Sequence, residues 1–122
     1  MKKKFVLLLL AAAIMLCGCS RYECREEAKE YGESAVFYAE KYIDGEISAE
    51  EAYQNVSVVY DELDAYCDAT HDDDLDSDIK LCETILSSTV LRLKSNLFLE
   101  DVSGGKIADI KSNIEDINKY TE

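Results

Sequence analysis

Between Asp72 and Glu83 the chain places five carboxylates at spacings that suit cation ligands. Asp72, Asp74, Asp76 and Asp78 fall on every second residue, and Glu83 follows five further on. Carboxylate oxygens are hard donors, so the ion they favour is calcium. A softer donor set overlaps this run. Cys67 and His71 stand one helical turn apart, Cys82 lies beyond them, and an aspartate as fourth ligand would make part of a zinc site. Other reactive chemistry is poorly represented. The chain has one histidine, no nucleophile motif, no glycine-rich phosphate loop and no H-E-x-x-H. Carboxylates are so frequent that no pair stands out for acid–base work. The expectation is a protein that is not an enzyme.

The acidic run resembles the calcium loop of EF-hand proteins, D-x-D-x-D-G-x5-E. Asp72, Asp74 and Asp76 match the first three ligands, and Asp78 stands where a backbone carbonyl is donated. Ile79 supplies the apolar eighth residue, and Glu83 falls at the closing twelfth position. Two residues depart from the pattern. Ser77 replaces the glycine of the sharp turn, and Lys80 puts a positive charge beside the ligands. The other reading of the same residues is a solvated turn between helices with aspartates capping the next helix. No cofactor is expected, calcium at this run being the ion that the spacing allows.

The N-terminus has a different pattern. Lys2, Lys3 and Lys4 form a basic start, and Phe5 to Leu16 an apolar run of twelve residues. A membrane span takes about 20. Leu16-Cys17-Gly18-Cys19 then resembles the lipobox of bacterial lipoproteins. That resemblance implies removal of residues 1–18 as a signal peptide. It also implies lipid, palmitate among its chains, on the thiol of Cys19 and an extracytoplasmic location on the cell membrane or its periplasmic side. Two or more acyl chains hold a protein stably where one is marginal. Residues 19–21 leave almost no tether before the folded domain, residues 22–122.

After residue 18 there remain 10 basic against 26 acidic residues, a formal charge of −16. Nucleic acid is an improbable ligand for such a surface, because its phosphates would be repelled. Anionic head groups would be repelled as well, so the lipid rather than the surface charge must hold the membrane. The electrostatic complement is a protein partner with a cationic surface, or a divalent ion.

Stepping along the apolar residues reveals the elements that must carry these groups. Proline is absent, which suits long helices. Tyr22 to Asp44 reads as a first helix with the stripe Cys24, Ala28, Tyr31, Ala35, Tyr38, Tyr42, and Gly45 stops it. Ser48 with Glu51 makes a capping box for a second helix, which has Ile47 and Ala52 as its staple. Its stripe is Ala49, Ala52, Val56, Val59, Leu63 and Tyr66. A third helix runs from about Asp76 to Glu100 on Ile79, Cys82, Leu86, Val90, Leu93 and Leu97. Ser103-Gly104-Gly105 breaks it. A shorter fourth, about Lys106 to Tyr120, carries Ile107, Ile110, Ile114 and Ile117. The fold class is all-α: an up-and-down bundle of three long helices plus a shorter fourth.

Folding the first two helices about Gly45-Glu46 sets residues whose numbers sum to 91 at one height. That pairs Tyr31 with Tyr60, Tyr38 with Tyr53, and Cys24 with Cys67. Three single bridges are possible among Cys24, Cys67 and Cys82. This register favours Cys24–Cys67, leaving Cys82 as a buried thiol. Cys67–Cys82 is second, and free thiols throughout the third outcome. The function expected is a membrane-anchored, non-enzymatic protein-interaction or scaffold module. Its alternative is a lipoprotein that binds or senses a divalent cation, calcium, or another small ligand. A third is an envelope piece that oligomerises through an unused apolar stripe.

Overall fold

The computed structural model describes residues 23–122; the expected signal peptide, residues 1–18, and the expected lipidation position, Cys19, lie outside the described residues. Four helices make up the domain: α1 Glu26–Ile43, α2 Ala49–Thr70, α3 Ser77–Ser103 and α4 Ile107–Thr121. No strand occurs among the described residues. None of these helices is long and apolar enough to cross a membrane.

Local chemistry sets the ends. Gly45, at a φ of 79°, ends α1, with Glu46 N–H donating back to the carbonyl of Lys41. This is the six-to-one bond of a Schellman cap. Ser48 Oγ accepts from Glu51 N–H at 3.0 Å and starts α2. Asp76 does the same for α3, accepting from Asp78 N–H at 2.7 Å. Gly104, at a φ of 73°, closes α3. The first helix starts later than Tyr22. Arg25 keeps an extended backbone as its N-cap, because its N–H is drawn 2.8 Å from a carboxylate oxygen of Glu83.

Each helix packs on its sequence neighbours, and α4 closes back on α1. The diagonal pair α1 and α3 also meet, while α2 and α4 do not. Antiparallel neighbours leave α1 and α3 parallel, and one offset describes their contacts. Cys24 bonds to Cys82, Arg25 to Glu83 and Tyr42 to Glu100, each pair 58 residues apart. Such close diagonal approach needs small residues. The buried face of α1 is Ala28, Gly32, Ala35, Val36 and Ala39. Leu63, Leu86, Leu93, Leu97, Ile110 and Ile117 fill the centre with no exposed surface, each contributing about 2 kcal/mol of burial.

The tyrosines of α1 therefore sit at its seams: Tyr31, Tyr38 and Tyr42 are half-buried, not central. The expected register of the first hairpin is corrected as well. Arg25 reaches Thr70, and Tyr31 packs on Tyr66, pairs that sum to 95 and 97 rather than 91. Tyr53 packs on Phe98, and Tyr60 lies under the ammonium of Lys94, so both turn to α3 instead of α1. The reason is steric. The small buried face of α1 lets it approach α3 closely, and its bulky tyrosines are left to the seams. Ile107, expected in the stripe of the fourth helix, stays exposed at its first turn.

Candidate functional site

The end of the bundle where α1 begins holds the densest polar chemistry. Glu83 is fully buried, one residue after a bridging cysteine, and Arg25 is one residue after the other. Arg25 Nε donates to Glu83 Oε2 at 3.0 Å and Nη2 to Oε1 at 2.8 Å. The Arg25 backbone N–H adds a third bond to Oε2. His71 Nε2 lies 2.9 Å from Oε1 and adds a fourth. A carboxylate has about four lone-pair positions, so those of Glu83 are filled. Around it, Arg25 Nη2 also donates to Thr70 Oγ1 at 2.6 Å, and its guanidinium stacks 4.7 Å above the Tyr66 ring. Burial by itself would raise the Glu83 carboxyl, but the hydrogen bonds from Arg25 and His71 outweigh it and hold the group below the ordinary carboxylate range.

The bridge that fixes this cluster is Cys24–Cys82, with the Cα atoms 5.4 Å apart. It replaces the expected Cys24–Cys67 pair and excludes Cys67–Cys82. Cys24 precedes α1 and turns diagonally to α3, whereas the sequence register aimed it at α2. Cys67 remains a free, half-buried thiol. Burial first, then the charge of Glu83, push that thiol up to about 11. A thiol protonated near neutral pH is a weak nucleophile.

Cys67, His71 and Glu83 nevertheless bring one donor atom each within 4.8 Å of one another. Cys67 and His71 line a groove of about 360 Å³ between α2 and α3, where Asp64 and Asp68 oppose Thr84, Ser87 and Ser88, and Glu83 is buried beneath them. Of the sequence-derived zinc set, Cys67 and His71 are together. Cys82 is consumed by the bridge, and Glu83 takes its place.

The acidic run assembles differently from an EF-hand loop. Asp72 Oδ1 accepts from the N–H groups of Asp74 and Leu75 at 3.0 and 3.1 Å, and Asp76 caps α3. Asp72, Asp74, Asp76 and Asp78 are exposed, while Glu83 points into the bundle toward Arg25 and His71. The five are not brought together. The expectation of a solvated, helix-capping turn describes Asp72 and Asp76.

A second feature was missing from the sequence reading. Leu81, Leu91, Phe98, Leu99 and Val102 lie along the outward side of α3, between 39% and 60% exposed. From Thr84 to Leu99 that helix carries no acid, and its only charges are Arg92 and Lys94. Tyr53 and Phe98, with ring centres 5.4 Å apart, make an aromatic shelf toward its C-terminal end. A run of sixteen acid-free residues in so acidic a chain was the available signal.

Compared with known proteins, the chain matches no family model, no curated protein and no solved structure, so the reading of both sites rests on their own geometry.

Proposed function

We propose that the chain is a membrane-anchored extracytoplasmic lipoprotein that acts as a non-enzymatic protein-interaction module. The observation that carries the interaction half is the apolar row on α3. Five large side chains exposed along one helix exceed what scattered surface residues explain and mark a docking surface. The row from Leu81 to Val102 is about 32 Å long at 1.5 Å per residue. Its occupant is a partner helix with an apolar face and a lysine- or arginine-rich rim, because acids dominate the surface on either side of the row. The aromatic shelf of Tyr53 and Phe98 is its anchor, aromatic side chains being the usual centres of binding energy.

The anchoring half rests on the lipobox-like Leu16-Cys17-Gly18-Cys19. Glu23 follows Cys19 by four residue steps, which at about 3.5 Å each keeps the domain within about 15 Å of an acylated thiol. The Cys24 end of the bundle then faces the lipid, and the α3 row runs away from it, from Leu81 beside the Cys24–Cys82 bridge to Val102 at the far end.

Photo-cross-linking in living cells from a probe at Ser95, followed by mass spectrometry, tests this reading. One partner is expected, lost in Phe98→Glu and in Leu91→Glu, and weakened in a Cys19→Ser variant that cannot take lipid. Cross-links unchanged by both α3 substitutions would sink the docking face. Cross-links only to a second copy of the chain would replace the partner by self-association.

A further inference from the structure

We propose that Cys67, His71 and Glu83 form a binding site for a borderline transition-metal cation, zinc in the first instance, open to solvent at its fourth position.

Three ligand types of this family converge from two helices that the rest of the fold holds in place. Cys67 and His71 are four residues apart, so the last turn of α2 presents both on one side. Glu83 enters from the first turns of α3. His71 Nε2 and Glu83 Oε1 are already 2.9 Å apart, and Cys67 Sγ lies within 4.8 Å of both. Ligands about 2.0–2.3 Å from a tetrahedral zinc stand roughly 3.3–3.8 Å from one another. Closing the triangle thus takes rotamer adjustments of about an ångström, with no movement of backbone. Chemically, the ion replaces the proton that His71 and Glu83 share. That proton moves to the other ring nitrogen of His71, the thiol proton of Cys67 goes to solvent, and Sγ, Nε2 and Oε1 each form one bond to the metal.

Selectivity follows from the donors. A thiolate and an imidazole suit zinc and its neighbours and are poor ligands for calcium or magnesium. Support from outside the ligand set is equally specific. Metal-binding carboxylates are usually held by further hydrogen bonds, and Arg25 supplies three to Glu83, two of them on the oxygen that the metal does not use. The Cys24–Cys82 bridge joins the residues immediately before Arg25 and Glu83 and so fixes that support. Zinc brings two positive charges and the thiolate removes one. The acids Asp64 and Asp68 on the groove balance the remainder, and a water or one of these carboxylates completes the four ligands. The same bridge explains why a third cysteine is left single: it is a ligand.

The test uses the full-length chain in detergent with its bridge intact. Cobalt(II) is titrated as a spectroscopic stand-in, and zinc is then used to displace it. One cobalt per chain is expected, with a thiolate-to-cobalt charge-transfer band and the intense visible bands of four-coordinate cobalt, both removed by one equivalent of zinc. Cys67→Ser should abolish the charge-transfer band and weaken zinc at least about 100-fold, and His71→Gln at least about tenfold. Circular dichroism confirms that both variants keep their helix. In the unaltered chain, zinc should also slow alkylation of Cys67. Binding of cobalt with no thiolate band, zinc affinity unchanged in Cys67→Ser, or no binding at all overturns the site. Failure of the α3 cross-links leaves it standing, since the two surfaces share no residue.

Discussion

Glu83 gathers four hydrogen bonds on two oxygens in the interior of a small bundle, and three of them come from Arg25. Burying a carboxylate is costly unless its partners meet it with good geometry. Removing the partner is worse than removing the pair, because an uncompensated charge stays behind. Arg25→Ala is therefore expected to cost about 3 kcal/mol near neutral pH. The pH dependence has a definite sign. Burial raises the Glu83 carboxyl and its hydrogen bonds lower it, the net position being below its ordinary value of 4.5. A depressed carboxylate contributes stability that is present above 4.5 and is lost as pH falls through the lowered value. The difference between the unaltered chain and Arg25→Ala should thus shrink as pH drops below 4.5, read by urea unfolding across that range. A difference constant with pH would mean that Arg25 acts by packing alone. In the sequence Glu83 was legible only as the twelfth residue of an acidic pattern. Spacing counts acids along the chain and cannot see an arginine 58 residues away. The signal present was the alternation Cys24-Arg25 and Cys82-Glu83, which becomes readable only once α1 and α3 are known to be parallel.

At the scale of helices, the stripes of α2, α3 and α4 were legible because their core residues are large and aliphatic. The α1 stripe misled for the opposite reason. Its core is three alanines, one glycine and Val36, which carry little periodic signal beside tyrosines at the same spacing. Gly32 is the key position. A Cβ there would lie 2.7 Å from Thr121 Cγ2 and 3.1 Å from Leu86 Cδ1. Alanine gains about 1 kcal/mol over glycine from helix propensity, while overpacking a fitted site costs about 1–3 kcal/mol. Threonine branches at Cβ and cannot swing its methyl aside, so the clash wins. Gly32→Ala is expected to be destabilised by about 1 kcal/mol net. The double variant Gly32→Ala with Thr121→Ala should regain that loss, as measured by thermal unfolding. Equal losses in the single and double variants would locate the strain at Leu86 instead.

For the molecule as a whole, charge and covalent topology act together. A formal charge of −13 on the full chain works against compaction by self-repulsion, and about a hundred described residues make a small core. The Cys24–Cys82 bridge offsets this by closing a 58-residue separation in the unfolded chain. Chain-entropy reasoning puts that constraint at about 4 kcal/mol. It ties the start of α1 to the start of α3, so it constrains two parallel helices that no short loop connects. The polar cluster depends on it as well, since Arg25 and Glu83 follow directly on the joined cysteines. Reduction, or Cys24→Ser, should lower the urea midpoint without changing the helical content at zero denaturant, the free-energy loss being about 4 kcal/mol. Cys67→Ser should leave the metal-free stability nearly unchanged, because that thiol joins no other cysteine. Alkylation before reduction should label Cys67 and spare Cys24 and Cys82. A large loss in Cys67→Ser with none in Cys24→Ser would overturn the Cys24–Cys82 bridge in favour of Cys67–Cys82.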